Sequence, residues 1–188
     1  MMGRRGRNNL IEEEFFFVTT TVINFLPVFN STLFCDILIN NIKFYQKKYK
    51  FDILSYVIMP SHFHWIVQVN PGYATISDIM RDIKKFTAWH IFDVLDSTKE
   101  KKLNNIFIKA AKGIRDQKRK LWMKRFDDEV IRNDKMFWTK LYYIHSNPVE
   151  AGLVERITDY KYSSARNYIM NDHSVIYVNT EMGGIPSL

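Results

Sequence analysis

Two short segments of this chain carry side chains whose types and spacing could do chemistry. The first is Ser61-His62-Phe63-His64-Trp65-Ile66-Val67-Gln68-Val69. It alternates, and a β-strand sends successive side chains to opposite faces. His62, His64, Ile66 and Gln68 then share one face, and Phe63, Trp65, Val67 and Val69 share the other. The apolar set is the natural face to pack on helices, so the two imidazoles project side by side from the other. Neutral ring nitrogens at that spacing can hold one divalent cation. The alternative is a pair of histidines on a solvated strand face.

The second segment is Tyr142-Tyr143-Ile144-His145-Ser146-Asn147-Pro148. On a helix, Phe137, Leu141 and Ile144 form an apolar stripe. Tyr143 and Asn147 are four apart and lie one above the other beside it. Tyr142 is about 100° away around the helix. A phenol and an amide oxygen could therefore face one place. The alternative is a tyrosine at the edge of the core and an amide that caps the helix end. His145 is expected to face elsewhere and is not read as a ligand.

These side chains need a scaffold, and the pattern of the chain supplies one. Phe15 to Val22 is aromatic and β-branched and predicts a buried strand. Ser31 or Thr32 can cap a helix running to about Lys48. Residues 50–59 and 62–69 predict two more strands, the first ending at Met59-Pro60 and the second at Asn70-Pro71-Gly72. Thr75 to about Leu95 predicts a second helix. From Asp96 to Arg125 the periodicity weakens, and the segment is open between a helix–loop extension and partial disorder. Asp127 to Arg132 predicts a short fourth strand. Asp134 can cap a third helix, which Pro148 should end because the residue before a proline is pushed out of the helical region. The order β-α-β-β-α-β and then a helix predicts an α+β fold. Its form is a ferredoxin-like (split βαβ) antiparallel sheet with helices on one face, plus a C-terminal tyrosine-bearing helix. The other sheet face is expected to be free for a site. The expected organisation is a flexible basic arm over 1–13, one domain over 14–170 and a tail over 171–188.

Composition narrows the function classes. The chain has 188 residues, 46% of them hydrophobic, which is enough for one proper core. Cys35 is the single cysteine, so no intrachain disulfide and no cysteine zinc site can form. The formal charge of +7 favours a polyanionic partner. Arg4, Arg5 and Arg7 followed by Glu12, Glu13 and Glu14 do not read as a signal peptide. The run Phe15 to Val18 is too short to span a bilayer. A soluble, cytoplasmic protein without a membrane partner is expected.

Several segments, in order, resemble one family. Tyr56-Val57-Ile58-Met59-Pro60-Ser61-His62-Phe63-His64 resembles the signature of the single-tyrosine HUH transposases, two histidines around a hydrophobic residue. Tyr143 to Val154, YIHSNPVEAGLV, resembles a segment of the REP-associated tyrosine transposase branch. Leu121 to Ile131 looks like that branch's tryptophan–arginine–phenylalanine stretch before its last strand. Asp159 to Ala165, DYKYSSA, is similar to its tail, with Tyr162 in place of a tryptophan and Ala165 in place of an aromatic. Phe16-Phe17-Val18-Thr19 fits its first strand. The resemblance covers roughly residues 14 to 168.

The resemblance implies cleavage and joining of single-stranded DNA at hairpin-forming repeats. It makes Tyr143 the nucleophile and His62 and His64 ligands of Mg²⁺ or Mn²⁺. The tyrosine would keep the 5′ phosphate and release a 3′ hydroxyl, so that strands rejoin without ATP. That agrees with the lack of a Gly-rich phosphate loop. Asn147 stands where relatives carry a polar residue that completes the metal site, and metal binding and helix-end capping both remain open for it.

The charge pattern suits such a substrate. Between Lys109 and Arg125, the cations Lys112, Arg115, Lys118, Arg119, Lys120, Lys124 and Arg125 face one acid, Asp116. Trp122 inside the run could stack on a base, or anchor the core beneath a solvated loop. Arg4, Arg5 and Arg7 are candidate DNA contacts, and Lys84 and Lys85 read as a solvated face. Association with the nucleoid follows from the substrate, as monomer or homodimer. The alternatives are a non-catalytic hairpin DNA- or RNA-binding module on the same fold, an inactive relative, and a metallohydrolase. The base-stacking module would need aromatics where His62 and His64 stand. A metallohydrolase would need further ligands that no linked motif supplies.

Overall fold

The computed structural model describes residues 14–181. In chain order the elements are β1 (Phe15–Thr21), α1 (Thr32–Tyr49), β2 (Asp52–Met59), β3 (His62–Gln68), α2 (Ile76–Ser97), α3 (Lys101–Ala111), β4 (Asp127–Val130), α4 (Asp134–Glu150) and α5 (Ala165–Met170). The strands form one sheet in the order β2-β3-β1-β4, with every neighbour antiparallel. This is the split βαβ arrangement, with each βαβ half placing one strand between the two of the other half.

Strand alternation sorts the side chains as the sequence predicts. Phe16, Val18, Phe63, Trp65 and Val67 point to one face and pack with α1 and α2 into the larger core. Phe15, Phe17, Leu54, Val57 and Ile66 point to the other. That second face is not free, which corrects the sequence expectation. Phe137, Leu141 and Ile144 of α4 pack on it and build a second, smaller core. The tyrosine helix is thus the fourth-strand half's answer to the exposed apolar row of β1. His62 and His64 of the neighbouring strand β3 lie across from the Thr21 and Thr19 end of that row.

α4 begins one residue earlier than expected and ends later. Asn133, not Asp134, is the cap, and its side chain accepts from the Met136 N–H at 2.9 Å. Pro148 does not end the helix. It sits in the last turn, where its missing N–H costs a single backbone bond, and its ring is buried. The stop comes at Gly152, with φ +68°. The Leu153 N–H donates to the Pro148 carbonyl and the Gly152 N–H to the Val149 carbonyl, both at 2.9 Å. This is the paired capping motif for which a left-handed glycine is suited.

The weakly patterned segment contains α3, anchored by Phe107, which packs on Phe92 of α2. The outer edge of β2 is covered by the chain after α4. Ser164 N–H donates to the Tyr56 carbonyl, and Ile58 N–H to the Tyr162 carbonyl. Residues 171–181 stay on the body, with Ile176 and Val178 buried in the larger core. Arg4, Arg5 and Arg7 lie outside the described residues. No helix of the described residues is long and apolar enough to cross a membrane.

Candidate active site

The β2–β3 hairpin sets the two histidines. Met59 pairs with His62 across the two-residue turn Pro60-Ser61. The tip is held from outside by the Val22 N–H on the Ser61 carbonyl and the Phe29 N–H on the Pro60 carbonyl. On the other side, β1 places Thr21 opposite His62 and Thr19 opposite His64. The two imidazole centroids are 4.8 Å apart.

His64 is buried and held by three contacts. Its Nδ1 lies 2.7 Å from Thr19 Oγ1, its ring stacks on Phe17 at 5.7 Å, and its Nε2 lies 3.4 Å from the Tyr143 hydroxyl. The tautomer with the proton on Nδ1 lets Thr19 accept and turns the Nε2 lone pair towards Tyr143. His62 is half-buried, with Nδ1 3.1 Å from Ser61 Oγ. In both rings Nδ1 is engaged by a hydroxyl. Burial lowers the pKa of His62. Burial, then the charges of His62 and Lys140, push His64 down to about 3. Both rings are therefore neutral near pH 7 and keep a ring lone pair, which is the donor set a divalent cation needs.

α4 brings the phenol. Tyr143 is 42% exposed, so its hydroxyl is reached by solvent while its ring packs edge-on to Phe17 and His64. Asn147, one turn later on the same flank, is half-buried. Lys140, three residues before Tyr143, extends over the Phe17 ring at 4.6 Å and pairs with Glu129 of β4. Thr19, Phe17 and Lys140 were not singled out from sequence. The strand pattern of Phe16-Phe17-Val18-Thr19 puts Phe17 and Thr19 on one face, but nothing local says that this face meets His64.

His145 is placed differently from Tyr143. It is buried, with Nε2 2.9 Å from Ser164 Oγ and its ring edge-on to Tyr168 at 5.3 Å. Burial pushes it down to about 4. It contributes no atom to the cleft, in agreement with the reading that it faces elsewhere. Among the described residues no cluster of three or more His, Cys, Asp or Glu could hold a metal. Any cation at this site would rest on His62, His64 and neutral oxygens.

The basic segment divides. Lys112, Arg115, Lys118, Lys124 and Arg125 are exposed, and Lys120 is half-buried. Trp122 is not a stacking surface, which corrects the expectation. It is 6% exposed, its indole N–H donates to the Lys84 carbonyl at 2.9 Å, and it packs on Phe29 and Phe63. Arg119 is turned inward. It bonds Asp96 at 2.7 Å and Asn104 at 3.2 Å and lies over Phe92, so it ties the segment to α2 and α3 rather than offering a free cation.

Comparison with known proteins gives partial sequence matches and a shared fold. The family model of IS200-like transposases matches residues 26–111, which include both histidines and stop before α4. A REP-associated tyrosine transposase of Escherichia coli K12 is 29% identical over 115 residues, 61% of this chain and 54% of that protein. A Haemophilus influenzae protein, provisionally named REP-associated tyrosine transposase, is 38% identical over 68 residues, 36% of each chain. The matches therefore span about half and about a third of these curated relatives. The structure of a REP-associated tyrosine transposase bound to a REP hairpin superposes with a TM-score of 0.64 at 21% identity. That match covers 100% of this chain and 98% of the other, and shows the shared fold. The chain is thus similar in sequence to the IS200-like transposases over residues 26–111 and shares its fold with a REP-associated tyrosine transposase.

Proposed function

We propose that this protein cuts and rejoins single-stranded DNA beside hairpin-forming repeats, through a covalent 5′-phosphotyrosine link at Tyr143. One observation carries the reading. Tyr143 comes from α4 and His64 from β3, 79 residues apart in sequence, yet the phenol hydroxyl stands 3.4 Å from the His64 Nε2. A half-exposed tyrosine beside two neutral imidazoles has little structural reason to be there.

His62 and His64 would hold a divalent cation through their Nε2 atoms, with Asn147 as a candidate oxygen ligand. A Mg²⁺ or Mn²⁺ ion bound there supplies charge stabilisation for the phosphate oxygens. Thr19 and Ser61 fix the ring orientations from behind. The Tyr143 hydroxyl, held 3.4 Å from the His64 Nε2 and reached by solvent, is positioned beside the place where the phosphate would sit. The Tyr143 oxygen then attacks phosphorus and its proton passes to solvent. The bond from phosphorus to the 3′ oxygen breaks, and that oxygen takes a proton from solvent. Attack of another 3′ hydroxyl on the phosphotyrosine reverses the sequence and joins two strands. The exposed cations Lys112, Arg115, Lys118, Lys124 and Arg125, with Lys120 and the arm residues Arg4, Arg5 and Arg7, would meet the DNA backbone. Such a substrate places the protein in the cytoplasm with the nucleoid.

The test is a denaturing gel after incubation with hairpin oligonucleotides from repeats flanking the gene, with Mn²⁺ or Mg²⁺. The expected band is a covalent protein–DNA adduct. Tyr143→Phe, shown to be folded, should lose it by roughly 10⁴-fold or more, because the nucleophile is gone. Hairpin binding without any adduct would leave a binding module, and an adduct that survives Tyr143→Phe would move the nucleophile to Tyr142. Asn147→Ala should raise the Mn²⁺ concentration needed by about tenfold or more. An unchanged requirement would confine Asn147 to the helix end.

A further inference from the structure

A second cationic surface lies away from Tyr143. Between α2 and residues 114–124 runs an open groove of about 680 Å³, within the range of about 300–1,000 Å³ usual for ligand pockets. Its bottom is made of Phe92, Leu121 and Trp122, all buried. Lys85, Lys118 and Lys124 are on its rim, and the one acid among its lining residues, Asp116, is paired with Arg115. The far wall is preformed, because Arg119 is pinned to Asp96 and Asn104.

Trp89 stands in this groove, on α2, and is 51% exposed. The Lys85 ammonium sits 4.5 Å from its ring centroid. Trp89 is not part of the core, which holds Trp122, and its ring meets only Phe86, edge-on, among the described aromatic side chains. A half-exposed tryptophan flanked by lysines is the arrangement that binds unpaired nucleic acid, with bases on the ring and phosphates on the cations. A duplex keeps its bases stacked inside and offers no base face to an indole.

We propose that this groove binds an unpaired stretch of the DNA substrate, with a base stacked on Trp89 and phosphates on Lys85, Lys118 and Lys124. The inference rests on reading the chain as a single-strand nuclease and adds a contact remote from the cleavage site. α2 packs on the sheet face opposite to α4, so groove and phenol are on opposite sides. One segment links them: Leu121 accepts from the Ile23 N–H, and the Met123 N–H donates to the Thr21 carbonyl. Thr21 is the strand partner of His62. Residues 121–123 therefore tie the wall of the groove to the strand beside the histidines.

The experiment compares a fluorescent hairpin bearing a single-stranded thymidine tail with the same hairpin without a tail. Binding is measured for the full chain, Trp89→Ala and Trp89→Phe. The tail should tighten binding to the wild type. Trp89→Ala should lose about tenfold on the tailed hairpin and nothing on the untailed one, and Trp89→Phe should retain most of the tail's effect. A Lys118→Ala/Lys124→Ala protein should show a shallower dependence of tailed binding on salt. Trp89→Ala binding the tailed hairpin like wild type would overturn the proposal, as would an equal loss on both oligonucleotides. Thermal melts of each variant show that the fold is kept. The same samples with Mn²⁺ on a denaturing gel separate the two readings. An adduct with unchanged Trp89→Ala affinity sinks the groove alone, and Trp89-dependent binding without an adduct sinks the nuclease alone.

Discussion

Two histidines are buried between α4 and the sheet or its covering segment, and they do different things. His64 and His145 are 4% and 6% exposed, and burial is the first cause of a lowered pKa in both. His145 spends its Nε2 on Ser164 Oγ inside a closed contact between α4, β2 and the chain at 164. His64 spends its Nδ1 on Thr19 and turns its Nε2 to a tyrosine that solvent can reach. Burial and a depressed pKa are therefore products of packing alone. A site needs in addition an uncommitted lone pair that faces a group able to react.

That contrast breaks if the two residues respond alike to removal. His64→Ala should lower adduct formation by roughly a thousandfold, because the proposed cation would lose one of its two ring-nitrogen ligands and with it several kcal/mol of charge stabilisation. His145→Ala should leave adduct formation within a few-fold in the folded protein and instead lower stability by about 2–3 kcal/mol. It empties a buried site and removes one of the partners of the Ser164 hydroxyl, which keeps Ser55 Oγ and the Tyr56 N–H. Single-turnover cleavage and urea unfolding of both variants check the pair. Equal losses of activity would make the two histidines one functional unit.

A pH titration of stability sharpens the same comparison. His145 has an ordinary value near 6.5 in the unfolded chain and about 4 in the fold. Between those values the unfolded state binds more protons, so stability is full above pH 6.5 and falls as pH drops towards 4. The His145 share is about 3 kcal/mol in all. The difference between wild type and His145→Gln unfolding curves isolates it, since other buried histidines contribute to both. Parallel curves would show that His145 is already charged in the fold. The smallest effect is at the end of α4. Gly152→Ala should cost about 1 kcal/mol, because φ +68° strains any side chain although the space around it is open. Adduct formation should change little, since Tyr143 lies two turns upstream. A melting temperature and an adduct assay decide it.

The legible parts of this protein are those governed by neighbours in the chain. Alternation over residues 62–69 separated His62 and His64 from Phe63 and Trp65, because a strand's period of two is a local property. The spacing of Phe137, Leu141 and Ile144 marked the buried stripe of α4 and put Tyr143 beside it for the same reason. The proline rule fails at Pro148 because its ring is buried in the last turn, and the helix runs on to the left-handed Gly152. α3 was hidden because its apolar stripe, Leu103, Ile106, Phe107, Ala110 and Ala111, is short and set among lysines and asparagines.

The two tryptophans show the limit. Trp122 stands among cations and is buried, while Trp89 stands in an amphipathic helix and is half-exposed. Their surroundings in sequence suggest the reverse, because burial depends on which surfaces meet. Only the meeting of residues 121–123 with the end of β1 put Trp122 inside. The sequence by itself determined the strand and helix phases, the residue types of the site and the family they resemble. The tertiary structure alone decided that α4 covers the β1 face, that Thr19 and Phe17 brace His64, and that the Tyr143 hydroxyl reaches Nε2. Those contacts join residues 45 or more apart, and their geometry follows from the packing of whole faces rather than from any local preference of the chain.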